Sequence, residues 1–193
     1  MYQRLPSWVL GFHGTNKETV MKIVSNSKEH VEFSHNDYDW LGNGAYFWEN
    51  DPVRALRFSQ ERMAWKGIKH KEPAVIGAVI DPGNCLNLFD QPALDELKTA
   101  YEDLRKDFEA MNTPLPQNKG KTEDLLFRHL DRAVFEHLHD LRKEQGLAPY
   151  QTVRSAFMEG DFLYDNTLFR RKNHIQIAVL DRSIIKGYFL PRH

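Results

Sequence analysis

Gly42-Asn43-Gly44-Ala45-Tyr46-Phe47 runs into a helix start, Asp51-Pro52-Val53-Arg54-Ala55-Leu56, and upstream of both stands Gly11-Phe12-His13-Gly14-Thr15. Glycines on both sides of the approach to a tyrosine, and a glycine directly after a histidine, let backbone come close to a flat ligand. Histidine offers one donor and one acceptor, and Gly14 leaves its peptide group open to a ligand amide. Together the two motifs read as a nucleotide slot with one aromatic wall, Tyr46.

Working outward, Ser7 to Phe12 read as a buried strand that delivers His13 at its end. Asn16 caps a short helix with Val20, Ile23 and Val24 on its apolar face. Val31 to Ser34 read as another strand. Asp51 before Pro52 is a strong helix start, a capping carboxylate followed by proline at the first helical position, and this helix should run to Lys66. Ala74 to Ile80 form a β-rich run stopped by Asp81-Pro82-Gly83-Asn84.

The pattern then changes. Leu94, Leu97, Tyr101, Leu104, Phe108 and Met111 recur at spacings of three and four, which is an amphipathic helix. Asn112 to Lys121 breaks it, and a second helix carries Leu126, Leu130, Val134, Leu138 and Leu141 on one face before Gly146. Positions 91–146 thus read as an antiparallel helical pair inserted between strands. Val153 to Phe157, His174 to Leu180 and Gly187 to Leu190 return to β structure, with a turn at Asp181-Arg182-Ser183. The expected class is α+β in a single domain over 1–193, with strands from both chain ends sharing one sheet.

With 41% hydrophobic and 27% charged residues the chain reads as globular. A formal net charge of −1 supplies no overall field for nucleic acid or anionic membrane. Arg170-Arg171-Lys172 is the one local basic run, to be weighed against a simple solvated loop. The single cysteine, Cys85, cannot form an internal disulfide. The apolar run Trp8 to Phe12 is too short for a secretory signal, and no stretch suits a bilayer span. The cytoplasm is the expected compartment, with no membrane partner. His129 and His137 lie two turns apart and His139 on another face, which is poor metal-ligand geometry, so no metal is expected. Dinucleotide-fold and phosphate-loop fingerprints are absent, which argues against a dehydrogenase.

In their order and spacing, His13-Gly14-Thr15, Gly42-x-Gly44-x-Tyr46-Phe47 and a helix with Ala55 and Phe58 resemble the ADP-ribosyltransferase fold of the diphtheria-toxin and poly(ADP-ribose) polymerase branch, marked by a His, Tyr, Glu triad. A likeness to bacterial members of that superfamily extends over nearly the whole chain. It rests on Asp39-Trp40-Leu41-Gly42, Tyr46-Phe47-Trp48-Glu49, His174-Ile175-Gln176-Ile177 and Lys186-Gly187-Tyr188-Phe189-Leu190-Pro191.

The resemblance implies a split β-sheet and NAD as substrate. His13 would bond the adenosine ribose, the Gly14 backbone would hold the nicotinamide amide, and Thr15 and Gly44 would flank the slot. Tyr46 and Phe58 would close on the two sides of the ring. The activity implied is mono-ADP-ribosyl transfer to a protein or nucleic acid with release of nicotinamide, in a bacterial toxin or phage-defence effector that an antitoxin could control. The alternatives are an NAD glycohydrolase and a catalytically weakened NAD-binding module. One position departs from the pattern. The late-strand glutamate of active relatives is matched here by Gln176, with His174 on the same strand face if the alignment slips by two residues. Glutamine accepts a hydroxyl hydrogen bond but carries no full charge. Glu159, in the loop before this strand, is the first substitute acid, ahead of Asp37, Asp39 and Glu49.

Overall fold

The structure, a computed structural model, describes residues 8–192. Seven strands and four α-helices follow one another along it: β1 (Val9–Asn16), α1 (Lys17–Ser25), β2 (Ala45–Glu49), α2 (Pro52–Trp65), β3 (Pro73–Ile80), β4 (Cys85–Asn87), α3 (Gln91–Ala110), α4 (His129–Glu144), β5 (Thr152–Phe157), β6 (His174–Val179) and β7 (Ile185–Phe189). The strands form one mixed sheet in the order β4-β5-β6-β2-β1-β3-β7, parallel only between β4 and β5. The α+β class holds, and strands from both ends of the described chain share the sheet. No described helix is long and apolar enough to cross a membrane.

Local chemistry places the helices. The Asn16 side chain accepts from Thr19 N at 2.9 Å and opens α1. Asp51 accepts from Arg54 N at 2.8 Å, and Pro52 occupies the first helical position of α2. The α3–α4 pair packs along Leu104, Val134 and Leu138, which join Leu41, Leu86, Val153 and Ala178 in one core. On the opposite face of the sheet, α1 presses Val20 and Ile23 against Phe47, Ile76, Ala78, Ile80 and Ile177.

The first face therefore has two covers. Helix α2 lies over β1 and β3, with Ala55 and Phe58 against Phe12, Trp48, Val75 and Phe189. The α3–α4 pair lies over β4, β5 and β6. Between the covers the sheet itself is narrowly joined. β1 pairs with β3 from Val9↔Ile80 to Asn16↔Pro73, but with β2 only at Gly11↔Glu49 and Phe12↔Trp48.

Several boundaries differ from the sequence expectation. β1 continues through His13 and Gly14 to Asn16, because β3 pairs with it throughout; Ser7, the expected first residue, lies outside the described residues. Val31 to Ser34 is not a strand. The Val31 N–H meets the Tyr188 hydroxyl at 3.2 Å, and Ser34 makes only an isolated bridge to Gly44. β4 is too short for a readable alternation. Helix α4 starts at His129 rather than near Leu126, since Phe127 bridges back to Lys119 and Leu125 sits at φ 45°. β7 begins at Ile185, two residues before the expected Gly187.

Gly14 sets how closely α2 approaches: a Cβ there would stand 1.9 Å from the Ala55 carbonyl oxygen. Backbone cannot yield as a flexible side chain does. Gly14→Ala should lower stability by about 2 kcal/mol or more, a fall in Tm of about 4–8 °C. Gly187→Ala, with nothing within 4 Å of the added carbon, should leave the melting curve in place.

Candidate functional site

The seam between β1 and β2 opens one step past Phe12↔Trp48. Asn50 N donates to Leu10 O at 2.9 Å, so Leu10 turns its peptide group toward β2. By strand alternation Phe12 and Gly14 turn theirs the same way. A continued ladder would pair Gly14 with Tyr46. Instead the strands part, and His13 Nδ1 bonds the Tyr46 carbonyl at 2.8 Å. A carbonyl only accepts, so Nδ1 carries the proton and Nε2 presents a lone pair. Burial holds the His13 pKa below its ordinary value; the Tyr46 carbonyl opposes this and Arg62 adds to it. The ring is therefore a neutral acceptor at Nε2.

Tyr46 stands at the same opening. Its hydroxyl donates to Gly42 O at 2.7 Å and accepts from Leu41 N at 3.0 Å, which folds the phenol back on its own turn. Burial raises its pKa well above the ordinary value, with Asp39 adding to the shift. Helix α4 fixes the turn from outside. The Glu136 carboxylate accepts from Asn43 N and from Asn43 Nδ2, both at 2.8 Å. Gly42 has φ 80°, and a Cβ there would come within 2.9 Å of Glu136 Oε1. Gly44 exchanges backbone hydrogen bonds with Ser34. Thr15 O accepts from Ser59 Oγ at 2.5 Å, tying β1 to α2. Packing thus accounts for Gly42, Gly44 and Thr15, which shape the turn and hold the helix.

Alongside the seam, on the sheet face that α2 and the α3–α4 pair cover, runs a row of rings: Trp40 to Phe157 (4.6 Å between centroids), Phe157 to His174 (5.7 Å), His174 to Trp48 (5.9 Å) and Trp48 to Phe58 (4.7 Å). The His13 ring packs on Phe47, on the opposite face. Gln176 lies opposite Trp48 in the β2–β6 register and accepts from Trp40 Nε1 at 2.6 Å. Phe58 packs on Trp48, and Arg54 caps both rings at 5.8 and 5.9 Å. Glu159 does not stand free. Its Oε2 meets Arg54 Nη2 at 2.8 Å, and its Oε1 lies 3.4 Å from Lys172 Nζ.

The weaker acid candidates lie elsewhere. Glu49, opposite Gly11 in the β1–β2 register, pairs with Arg154 through Oε2 at 2.5 Å, on the sheet face away from the ring row. Asp39 accepts from Asn36 N at 2.8 Å, and Asp37 is exposed beside His129.

Of the polar groups of this row, sequence reasoning named Gln176 and His174 but missed Arg54 and the Trp48 indole N–H. Arg54 was legible only as a first-turn helix residue, yet it is buried. Among the described residues, Trp48 Nε1, Arg54 Nε and Nη1, and His174 Nε2 are four of the six buried side-chain polar atoms with no hydrogen-bond partner. Such atoms are rare in folded proteins, and their concentration here marks a place that suits a polar occupant. His174 Nδ1 bonds Lys172 O at 2.6 Å; burial lowers its pKa, the Lys172 carbonyl opposes, and Arg54 lowers it further.

Other expected features are dispersed. In the basic run, Arg170 pairs with Glu123 and Lys172 with Glu61 and Glu159, so these cations form no open groove. His129, His137 and His139 do not converge. His137 Nε2 meets Asp103 Oδ2 at 3.0 Å, within the one trio of the described residues with metal-ligand spacing, Asp103, Asp107 and His137. Two open hollows, of about 470 and 630 Å³, share Phe33 and Leu180; neither is lined by His13, Tyr46 or Gln176, and the second reaches Asn43 and Glu136. No family model, no curated protein and no solved structure matches this chain, so the family resemblance stands on the motif residues themselves.

His13, His139 and His174 all have pKa values lowered by burial from 6.5. The unfolded chain therefore binds more protons than the fold as pH drops through that value. Their contribution to stability is complete above it and is lost as the pH falls toward the lowered values. Tm should stay level from about pH 8 to 7 and decline below about pH 6.5. A Tm that rises on acidification over this range would contradict neutral burial of these rings.

Proposed function

We propose that the chain is an ADP-ribosyltransferase of the diphtheria-toxin and poly(ADP-ribose) polymerase type. It would transfer ADP-ribose from NAD to a macromolecular acceptor and release nicotinamide. The observation that carries this reading is the parting of β1 from β2 at Gly14 and Tyr46, with His13 bonded to the Tyr46 carbonyl. One open peptide group offers both a donor and an acceptor, the complement of a carboxamide. His13 Nε2 is an acceptor suited to a ribose hydroxyl. Tyr46 and Phe58 are half-buried aromatics near this opening, suited to flank a flat ring.

In the reaction the C1′–N bond to nicotinamide breaks and its electron pair leaves with the ring. The acceptor's lone pair forms the new bond to C1′ and the acceptor gives up its proton. The chain's own contribution is to fix the ring and ribose, so that the oxocarbenium-like centre forms in one orientation. Gln176 accepts hydrogen bonds but supplies no charge to that centre. The bacterial effector role, with an antitoxin as partner, follows from the resemblance alone.

A second reading has its own observation. Gln176 Oε1 is engaged by Trp40 and the Glu159 carboxylate by Arg54 and Lys172, so neither of these two candidates is free to stabilise positive charge. Glu49, which pairs with Gly11 in the β1–β2 register, is likewise held by Arg154, and this engagement of the candidate groups favours an NAD-binding module with weakened turnover.

Nicotinamide release from NAD, measured on purified protein with and without cell lysate, separates the readings. Transfer predicts lysate-dependent release that drops on the order of a hundredfold in His13→Ala and in Tyr46→Ala, with both variants folded. Gln176→Glu should raise release by about tenfold or more, since the carboxylate adds the missing charge. Release without lysate marks hydrolysis. Thermal stabilisation by NAD without release marks the binding module, and neither release nor stabilisation removes NAD from consideration.

A further inference from the structure

The connection 158–173 between β5 and β6 carries an unusual load of exposed apolar side chains. Phe162, Leu163, Tyr164, Leu168 and Phe169 are 44%, 45%, 63%, 84% and 60% exposed. Beside it, the α3–α4 connection exposes Leu125, Leu126 and Phe127. The two loops are tied together: Gly160 N donates to Asp124 Oδ2 at 3.0 Å, and Arg170 bonds Glu123 at 2.8 Å and Gly160 O at 3.1 Å.

The loop is also ordered from within. Phe162 bridges Arg170, Leu163 N donates to Phe169 O at 3.0 Å, and the Arg170 guanidinium lies 4.3 Å over the Phe162 ring. Its base is anchored through Glu159 to buried Arg54. Leu125, next to it, holds φ 45°, a conformation unfavourable for leucine. The apolar side chains are thus held outward by a hydrogen-bonded scaffold.

Apolar patches of this size on a soluble domain mark contact surfaces. Eight large side chains, about half exposed and mostly of aromatic or leucine size, present on the order of 800 Å², which is what one partner gives to a standard stable interface. The charges around them are of both signs. Arg171, Asp161 and Asp165 are exposed and have no side-chain ion pair among the described residues. A patch that carries an apolar centre, a free cation and free carboxylates can complement itself, since a two-fold axis is able to set Arg171 of one copy against an aspartate of the other.

We propose that a second copy of this chain docks on this surface, forming a two-fold dimer centred on Phe162, Tyr164, Leu168 and Phe169. The inference is independent of the NAD reading. Dimerisation would fix the loop whose base, Glu159, bonds Arg54 beside the candidate site.

Sedimentation velocity over a micromolar-to-nanomolar dilution series of the full chain tests it. The wild type should run at twice the protomer mass and dissociate on dilution. Leu168→Asp and Tyr164→Asp, both at exposed loop positions, should weaken the dimer at least tenfold with unchanged circular dichroism. Arg171→Asp should weaken it too, with a loss that shrinks at high salt in the wild-type comparison. Trp65→Ser, on an exposed residue of α2, should leave the dimer intact. A wild type monomeric at every concentration overturns the proposal and assigns the patch to another partner, protein or lipid. A dimer as tight in Leu168→Asp as in the wild type overturns it equally.

Discussion

The close seating of α2 on β1 is the constraint from which the site follows. The Ala55 carbonyl stands where any side chain at position 14 would have to be, so the helix rests on bare backbone. At that distance Phe58 reaches Trp48, and Arg54, in the first turn of the same helix, is drawn into the interior. A buried guanidinium requires an anion, since an unpaired charge away from water is costly. Glu159 supplies it from the loop before β6. One backbone contact thus reaches from the end of β1 to the base of the exposed loop.

That ion pair also shapes the chemistry available beside the seam. Glu159 is the acid that the loop brings nearest, and the fold commits it to Arg54 and Lys172. Gln176 is committed to Trp40. The groups left without hydrogen bonds are mostly donors, Trp48 Nε1 and the Nε and Nη1 of Arg54, the latter 3.5 Å from Glu61 Oε2, with the His174 Nε2 lone pair among them. A mixed set of this kind suits a polar occupant that both donates and accepts.

The inserted helices have a second part in this arrangement. Glu136 of α4 holds Asn43 by two hydrogen bonds, and the turn it fixes folds the Tyr46 hydroxyl onto Gly42 and Leu41. Arg132, one turn earlier on α4, donates to Asn43 Oδ1 at 3.2 Å. The insertion is therefore coupled to the aromatic wall of the seam as well as closing one core.

Much of this was readable in the residues. Asp51-Pro52 marked the start of α2 because capping and proline geometry are local, and the apolar spacings of α3 and α4 declared a helical pair because burial of one face repeats with the helix period. His13, Gly14 and Tyr46 stood out because glycine beside a histidine or close to a tyrosine is visible in one dimension. Other features were decided by the tertiary structure. Gly14 reads as a gap for a ligand or as a seat for a helix, and only the packing of Ala55 shows the second. Arg54 is one charged helix residue among many until α2 turns it inward, and Glu159 is a loop carboxylate until Arg54 meets it. Val31 to Ser34 alternate like a strand but find no neighbouring strand to pair with. The physical reason is the range of the forces. Caps, turns and periodicity act within a few residues and are written in order along the chain, whereas ion pairing, close backbone approach and the choice of strand partner join residues distant in sequence, and their outcome exists only once the layers have packed.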